Sequence, residues 1–223
     1  MIGLFITGTD TGVGKTTITV GLIQLLRRQG WSVRVSKPVA TGAGQIGGRW
    51  ICEDTIALAQ AAGQTNLDEI TPWAFPEPVA PPVAARLNGR QLNLNAIALA
   101  VRGADRPASI MLVEGIGGLL CPLTEADTVA DLAKAVDLPL LIVARRKLGT
   151  LNHTLLTVEA AMSRGLRISG LVVNETERGV DLAAATNVDE LRRLIDAPLL
   201  AAVPHGSDVA AALSGVDWRS LMS

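Results

Sequence analysis

Along the chain, short apolar or alternating runs are interleaved with longer segments in which apolar positions return every three or four residues. The runs are the opening stretch from Ile2, then Val33–Val39, Ser109–Val113, Leu140–Ala144, Ile168–Val173 and Leu199–Val203. Most are rich in Val, Ile and Leu and bounded by turn residues, which predicts buried parallel strands, while Val33–Val39 alternates as Val-Arg-Val-Ser-Lys-Pro-Val and predicts a second strand by its period of two. Between them the helical period predicts helices over Thr16–Gln29, Thr55–Ala62, Val83–Leu87, Leu94–Val101, Val129–Val136, Asn152–Arg164 and Val188–Ile195. Gly30 and Gly165 stand where helices stop, and Pro38 must end the second strand because it has no N–H for a ladder.

Strands alternating with helices, without a break from the third strand to the last, predict an α/β fold of three layers, a mostly parallel sheet with helices on both faces. All 223 residues are expected to form a single domain. Two stretches resist assignment: the Gly-rich residues 40–53 read as a mobile surface loop, and the Pro-rich residues 65–82 as a connection. Composition agrees with a large aliphatic core, at 48% hydrophobic, 18% charged and 3% aromatic residues. A net charge of −1 provides no field to draw in nucleic acid or anionic lipid, so an anionic ligand must be held locally. No apolar run approaches the ~20 residues of a bilayer span, and the reading is a cytoplasmic protein without membrane or nucleic-acid partners. Cys52 and Cys121 lack metal-ligand or disulfide spacing and read as reduced and structural.

Chemistry concentrates where the predicted strands end. After the first comes Gly8-Thr9-Asp10-Thr11-Gly12-Val13-Gly14-Lys15-Thr16-Thr17, a Gly-rich turn opening a helix. Gly8, Gly12 and Gly14 would let the backbone take positive φ and curl its N–H groups around phosphate, with helix-terminal charge behind them. Lys15 would reach the β/γ-phosphates and Thr16 would ligate Mg²⁺. The usual phosphate loop has Gly five positions before Gly14; here that position is Thr9, so the loop is one residue longer. Lys37 ends the second strand, Glu114 the third, and Lys147-Leu148-Gly149 follows the fourth. In a parallel sheet these carboxyl ends share one edge, where ligands bind. Glu114 suits a metal contact beside Thr16 better than a solvated strand-end carboxylate. Asp54 is either a third oxygen ligand or a helix N-cap. His153 and His205 lack ligand spacing and read as surface or pocket-wall residues.

Taken together, Gly8–Thr16, Lys37-Pro38-Val39-Ala40-Thr41-Gly42, Val113-Glu114-Gly115-Ile116-Gly117-Gly118 and Lys147-Leu148-Gly149-Thr150-Leu151-Asn152-His153 resemble the dethiobiotin synthetase family. That family shares the longer loop. The resemblance implies a P-loop NTPase-like fold and an ATP- and Mg²⁺-dependent ring closure joining 7,8-diaminononanoate and CO₂ (or bicarbonate) into dethiobiotin. It implies catalytic roles for Lys15 and Lys37, and substrate contacts for Thr11 and Thr41. Metal positions fall on Thr16, Asp54 and Glu114. Nucleotide contacts fall on Gly12–Thr17, Asp54, Glu114–Gly117, Asn174 as the adenine reader, Glu175, and Pro204-His205-Gly206. It further implies a homodimer, with the substrate carboxylate near the subunit interface against Gly149, Thr150, Leu151 and Asn152. A switch-type ATPase of the partition or division-site kind is the rival. Such ATPases carry a signature lysine early in the loop, where this chain has Thr9, Asp10 and Thr11, and residues 210–223 make no basic amphipathic helix.

Overall fold

The computed structural model describes residues 1–179 and 182–222, apart from the side chain of Ala183. The first third of the chain runs β1 (Ile2–Gly8), α1 (Lys15–Arg28), β2 (Ser32–Ser36), β3 (Val39–Ala40), β4 (Gly44–Ile46), β5 (Arg49–Ile51), α2 (Glu53–Ala62), α3 (Leu67–Ile70) and β6 (Trp73–Ala74). Then come α4 (Pro81–Leu87), α5 (Leu94–Ala104), β7 (Ser109–Glu114), α6 (Val129–Val136), β8 (Leu140–Arg145) and α7 (Thr150–Ser163). β9 (Ile168–Asn174), α8 (Leu182–Leu194), β10 (Leu199–Val203) and α9 (Val209–Ala212) complete the series.

Six of the strands form one sheet in the order β10-β9-β8-β1-β7-β2, with every neighbouring pair parallel. Strand pleating sends alternate residues to opposite faces, and both faces are apolar, so two cores form. Leu4, Ile6, Ile110 and Leu112 pack with Ile18, Leu22 and Leu26 of α1 and with Leu213 and Trp218 near the C-terminus. Phe5, Met111 and Val113 pack on the other face with Ile97 and Val101 of α5 and Leu132 and Val136 of α6. The result is the expected three-layer α/β architecture, with all six strands delivering their carboxyl ends to one edge.

Differences from the sequence reading have local causes. The second strand leaves the sheet at Ser36 rather than Val39: Lys37 N–H turns to the Ile70 carbonyl at 2.9 Å, and Pro38 cannot continue the ladder. Val39–Ala40 instead pairs in parallel with Trp73–Ala74 inside the supposed connection. The Gly-rich loop is a β4–β5 antiparallel hairpin turning through Gly47 (φ 57°) and Gly48 (φ 81°), the positive-φ pair that two-residue hairpins favour. Asp54 is not a cap: α2 starts at Glu53 after Cys52, leaving Asp54 in the first turn with its carboxylate free to reach elsewhere. Helices α4, α7 and α8 begin upstream of their expected starts, at Pro81, Thr150 and Leu182. Of the unassigned stretch Thr176–Ala185, Val180 and Asp181 lie outside the described residues.

Candidate active site

The phosphate-type loop spans the gap between β1 and α1. Gly12 (φ 72°) and Gly14 (φ 87°) occupy the left-handed region, as expected, and Thr9 N–H is anchored on the Val143 carbonyl of β8 at 3.0 Å. Gly8 does not share that conformation. Its role is space, since a Cβ there would stand 2.8 Å from Val13 Cγ2 and 2.9 Å from the Asp10 carbonyl. Lys15, the first residue of α1, arches back and donates from Nζ to the Asp10 carbonyl at 3.1 Å. Burial pushes its pKa down, partly offset by Glu114.

Beside the loop lies a compact charged cluster. Lys37 is 5% exposed, and its Nζ bonds to Glu114 Oε1 at 2.9 Å and to Asp54 Oδ2. Burial opposes its charge, yet the Glu114 and Asp54 carboxylates hold its pKa above the ordinary lysine value. An ammonium has three donors, so with two engaged one remains for a ligand. Burial likewise opposes ionisation of Asp54, and Lys37 outweighs it, holding the Asp54 carboxyl below the usual range. Glu114 is completely buried at the end of β7; its Oε1 also accepts from Thr16 Oγ1 at 2.7 Å, while its Oε2 has no partner.

An unpartnered carboxylate oxygen in the interior carries a desolvation cost of roughly 1–3 kcal/mol or more. The Thr16 hydroxyl bonds the other oxygen of the same carboxylate, and the Asp54 carboxylate shares Lys37 with it, so the cluster holds hard oxygen donors of the kind Mg²⁺ selects. Among the described residues no group of three or more His, Cys, Asp or Glu is placed to hold a metal by itself. Mg²⁺ needs no such group, since proteins bind it through one or two carboxylates together with phosphate oxygens and water. Thr16, Asp54 and Glu114 therefore fit the ion.

A cavity of about 320 Å³ joins these parts. Thr11, Gly12, Gly14, Lys15, Thr16 and Thr17 form one wall, and Lys37, Thr41, Asp54, Ile116 and Gly117 face them. Val13 and Gly115 belong to the interior: Val13 packs in the core, and Gly115 N–H bonds the Ile6 carbonyl at 2.9 Å. Other expected residues stand apart. Asn174 is buried at the end of β9, with Nδ2 on the Val13 carbonyl at 3.0 Å. Glu175 pairs with Arg146 at 3.4 Å. Pro204, His205 and Gly206 form an exposed turn after β10, leading into Ser207 and Asp208, which line a groove with Gln24 that adjoins the cavity through Thr16, Thr17 and Asp54. Gly149, Thr150, Leu151 and Asn152 open α7 away from the cavity. His153 lines a third depression with Thr9, Asp10 and Leu156.

Sequence reasoning missed Ala40 and Cys52 as cavity walls. Cys52 is a free, half-buried thiol donating to the Thr41 carbonyl at 3.7 Å, and burial pushes its pKa up. Position alone carried the signal, because Cys52 stands two residues before Asp54 and ends the segment that starts at Thr41.

A phosphate-type loop at the end of the central strand of a parallel sheet, with a buried lysine–carboxylate cluster beside it, defines a P-loop nucleotide-dependent protein. A family model described as "AAA domain" matches residues 2–212. Solved structures share the fold: the MinC:MinD cell division protein complex of Aquifex aeolicus (TM-score 0.54, 14% identity, covering 96% of this chain and 86% of that one) is one. A ParA family ATPase from Chlorobium tepidum TLS (TM-score 0.54, 14% identity, covering 100% and 96%) is another. At such identities the likeness concerns the fold alone. Sequence relatives narrow it further. ATP-dependent dethiobiotin synthetase BioD of Anaeromyxobacter dehalogenans strain 2CP-C is 43% identical over 213 residues, covering 94% of this chain and 93% of that protein. The BioD protein of Aromatoleum aromaticum is 41% identical over 209 residues (92% of each), and that of Bacillus subtilis strain 168 is 38% identical over 211 (94% and 90%). The chain belongs to the ATP-dependent dethiobiotin synthetase family, a family of ligases.

Proposed function

We propose that this chain, as a cytoplasmic homodimer, closes 7,8-diaminononanoate and CO₂ into the cyclic urea dethiobiotin, consuming ATP with Mg²⁺. One substrate amine takes up CO₂ and loses a proton, giving a carbamate. A carbamate oxygen attacks the γ-phosphorus of ATP and ADP leaves. The second amine then attacks the carbonyl carbon of the mixed carbamic–phosphoric anhydride, forming the second C–N bond as the C–O bond to phosphate breaks and the amine's proton leaves with the phosphate. Carbamate and phosphoryl oxygens are anionic at every stage, so catalysis needs fixed cations where that charge gathers.

Lys15 and Lys37 fill that need. Lys37 is clamped protonated between Asp54 and Glu114, so it serves as a preorganised donor and not as a base. Thr11 and Thr41 line the same cavity and hold the substrate beside it. Mg²⁺ held by Thr16, Asp54 and Glu114 would neutralise charge on the transferring phosphate. Asn174, Glu175 and the turn Pro204–Gly206 serve the nucleotide's base side, and the start of α7 in one subunit receives the substrate carboxylate of the other.

The observation that carries this reading is the Lys37–Asp54–Glu114–Thr16 cluster: Thr16, Lys37 and Asp54 line one cavity with Lys15, and the wholly buried Glu114 bonds Lys37 and Thr16 from behind. The test is phosphate release from ATP by the purified chain, which should require both the diamine and bicarbonate and should yield the cyclic urea by mass. Equal ATP hydrolysis without the diamine, or no cyclic urea, overturns it.

A further inference from the structure

Asn174 closes β9 with only 5% exposure, and its Nδ2 donates to the Val13 carbonyl inside the phosphate loop at 3.0 Å. On the loop side, Gly14 sits at φ 87°, where a Cβ would stand 2.1 Å from that same Nδ2 and 3.3 Å from Cγ. Loop and amide are thus in direct contact, with no room for a side chain between them. The Val13 carbonyl and the Gly14 N–H belong to one planar trans peptide and point in opposite directions. Holding the carbonyl on β9 therefore turns the Gly14 N–H the other way, and Gly14 lines the cavity.

We propose that Asn174 is a positioning residue for phosphate binding: its amide fixes the Val13–Gly14 peptide so that the loop's N–H groups are aligned before any anion arrives. This rests on the nucleotide-site reading above and adds to it, since a residue that only read the base would act on the base alone. The amide retains its carbonyl oxygen and its second N–H, enough to pair with a base edge while holding the loop. One side chain then joins base recognition to phosphate alignment.

The experiment uses a probe with no base. Binding of Mg²⁺–tripolyphosphate to the full chain is measured by titration calorimetry for wild type, Asn174→Ala and the nearly isosteric Asn174→Leu. Both variants should bind roughly tenfold more weakly, the scale expected when a buried carbonyl loses its donor. Turnover at saturating ATP should fall with them. Unchanged tripolyphosphate affinity alongside weakened ATP binding would overturn the proposal and leave Asn174 a base reader. A merely structural asparagine would lower the number of competent sites while the survivors kept the wild-type Kd, which also overturns it. Should wild type itself fail to bind tripolyphosphate, the phosphate-loop reading falls and the positioning role with it. The measurement contains no diamine, so it is decided independently of which product the chain makes.

Discussion

Glu114 is the residue on which the site turns, because it is wholly buried and one carboxylate oxygen serves two donors while the other serves none. If that free oxygen is the metal's place, Glu114→Gln should abolish the part of ADP binding that Mg²⁺ provides. Wild-type ADP affinity should weaken several-fold when EDTA replaces Mg²⁺, whereas the variant should show the weaker affinity in both conditions. Lys37 tests the other half of the cluster. Lys37→Ala should cut turnover by about a hundredfold or more, the scale of a lost preorganised charge donor, and leave ADP affinity within a few-fold of wild type. An unfolded variant by circular dichroism would instead show that the lysine's work is to neutralise Asp54 and Glu114. Lys37 and Glu114 were both legible in the sequence because each stands at the end of a predicted strand, Lys37 after an alternating run and Glu114 after an apolar one. The hydrogen bond between them was not, since residues 77 apart meet only through the sheet order.

At the scale of elements, Glu69 of α3 ties three segments together. It accepts from Arg34 of β2 at 2.5 Å and from Arg106 ahead of β7. Burial opposes its charge, but Arg34 and Arg106 hold the carboxyl below its ordinary 4.5. A depressed folded-state pKa means the stabilisation is present above 4.5 and is lost as pH falls through the folded value. Glu69→Gln should therefore be about 1 kcal/mol less stable than wild type at neutral pH in urea unfolding, with the gap closing below pH 4.5. A gap that persists in acid would mean packing, not charge, is what Gln lacks. This bridge shows where sequence patterns stop. The interior strand runs of β7 and β8 were legible because burial on both faces makes them almost continuously apolar, and β2 because it alternates. The hairpin at Gly44–Ile51 was not, because its arms are three residues long and largely exposed, too short for alternation to show. Asp54 stayed open between cap and ligand for a related reason: a carboxylate at a helix start suits either, and its place in the first turn beside Lys37 excludes the cap.

For the whole molecule, the parallel sheet explains why four sequence motifs become neighbours, and it also explains what is missing from the cavity. Gly149–Asn152 follows β8 at the same edge yet does not line the pocket built by the loop, Lys37 and Asp54. Just before α7 Leu148 is 79% exposed, and on α7 Leu155 and Met162, seven residues apart and so on one side of the helix, are 36% and 65% exposed, apolar groups of the kind that a contact with a second copy would cover. If the proposed dimer places the α7 start of one subunit beside the substrate of the other, each site draws its two halves from different chains. Asn152→Asp adds a negative charge at a helix N-terminus, which favours the helix but repels a substrate carboxylate. It should raise the diamine KM at least tenfold and leave ATP binding unchanged. Mixing it with Lys37→Ala, each nearly inactive alone at low diamine, then makes a decisive complementation. Random exchange yields about half heterodimers, each with one site intact and one doubly defective, so activity should recover to about a quarter of wild type. Two defects lying in the same site of the same chain cannot complement, and a mixture no more active than its parents would put the carboxylate, and with it the role of Gly149–Asn152, within a single subunit.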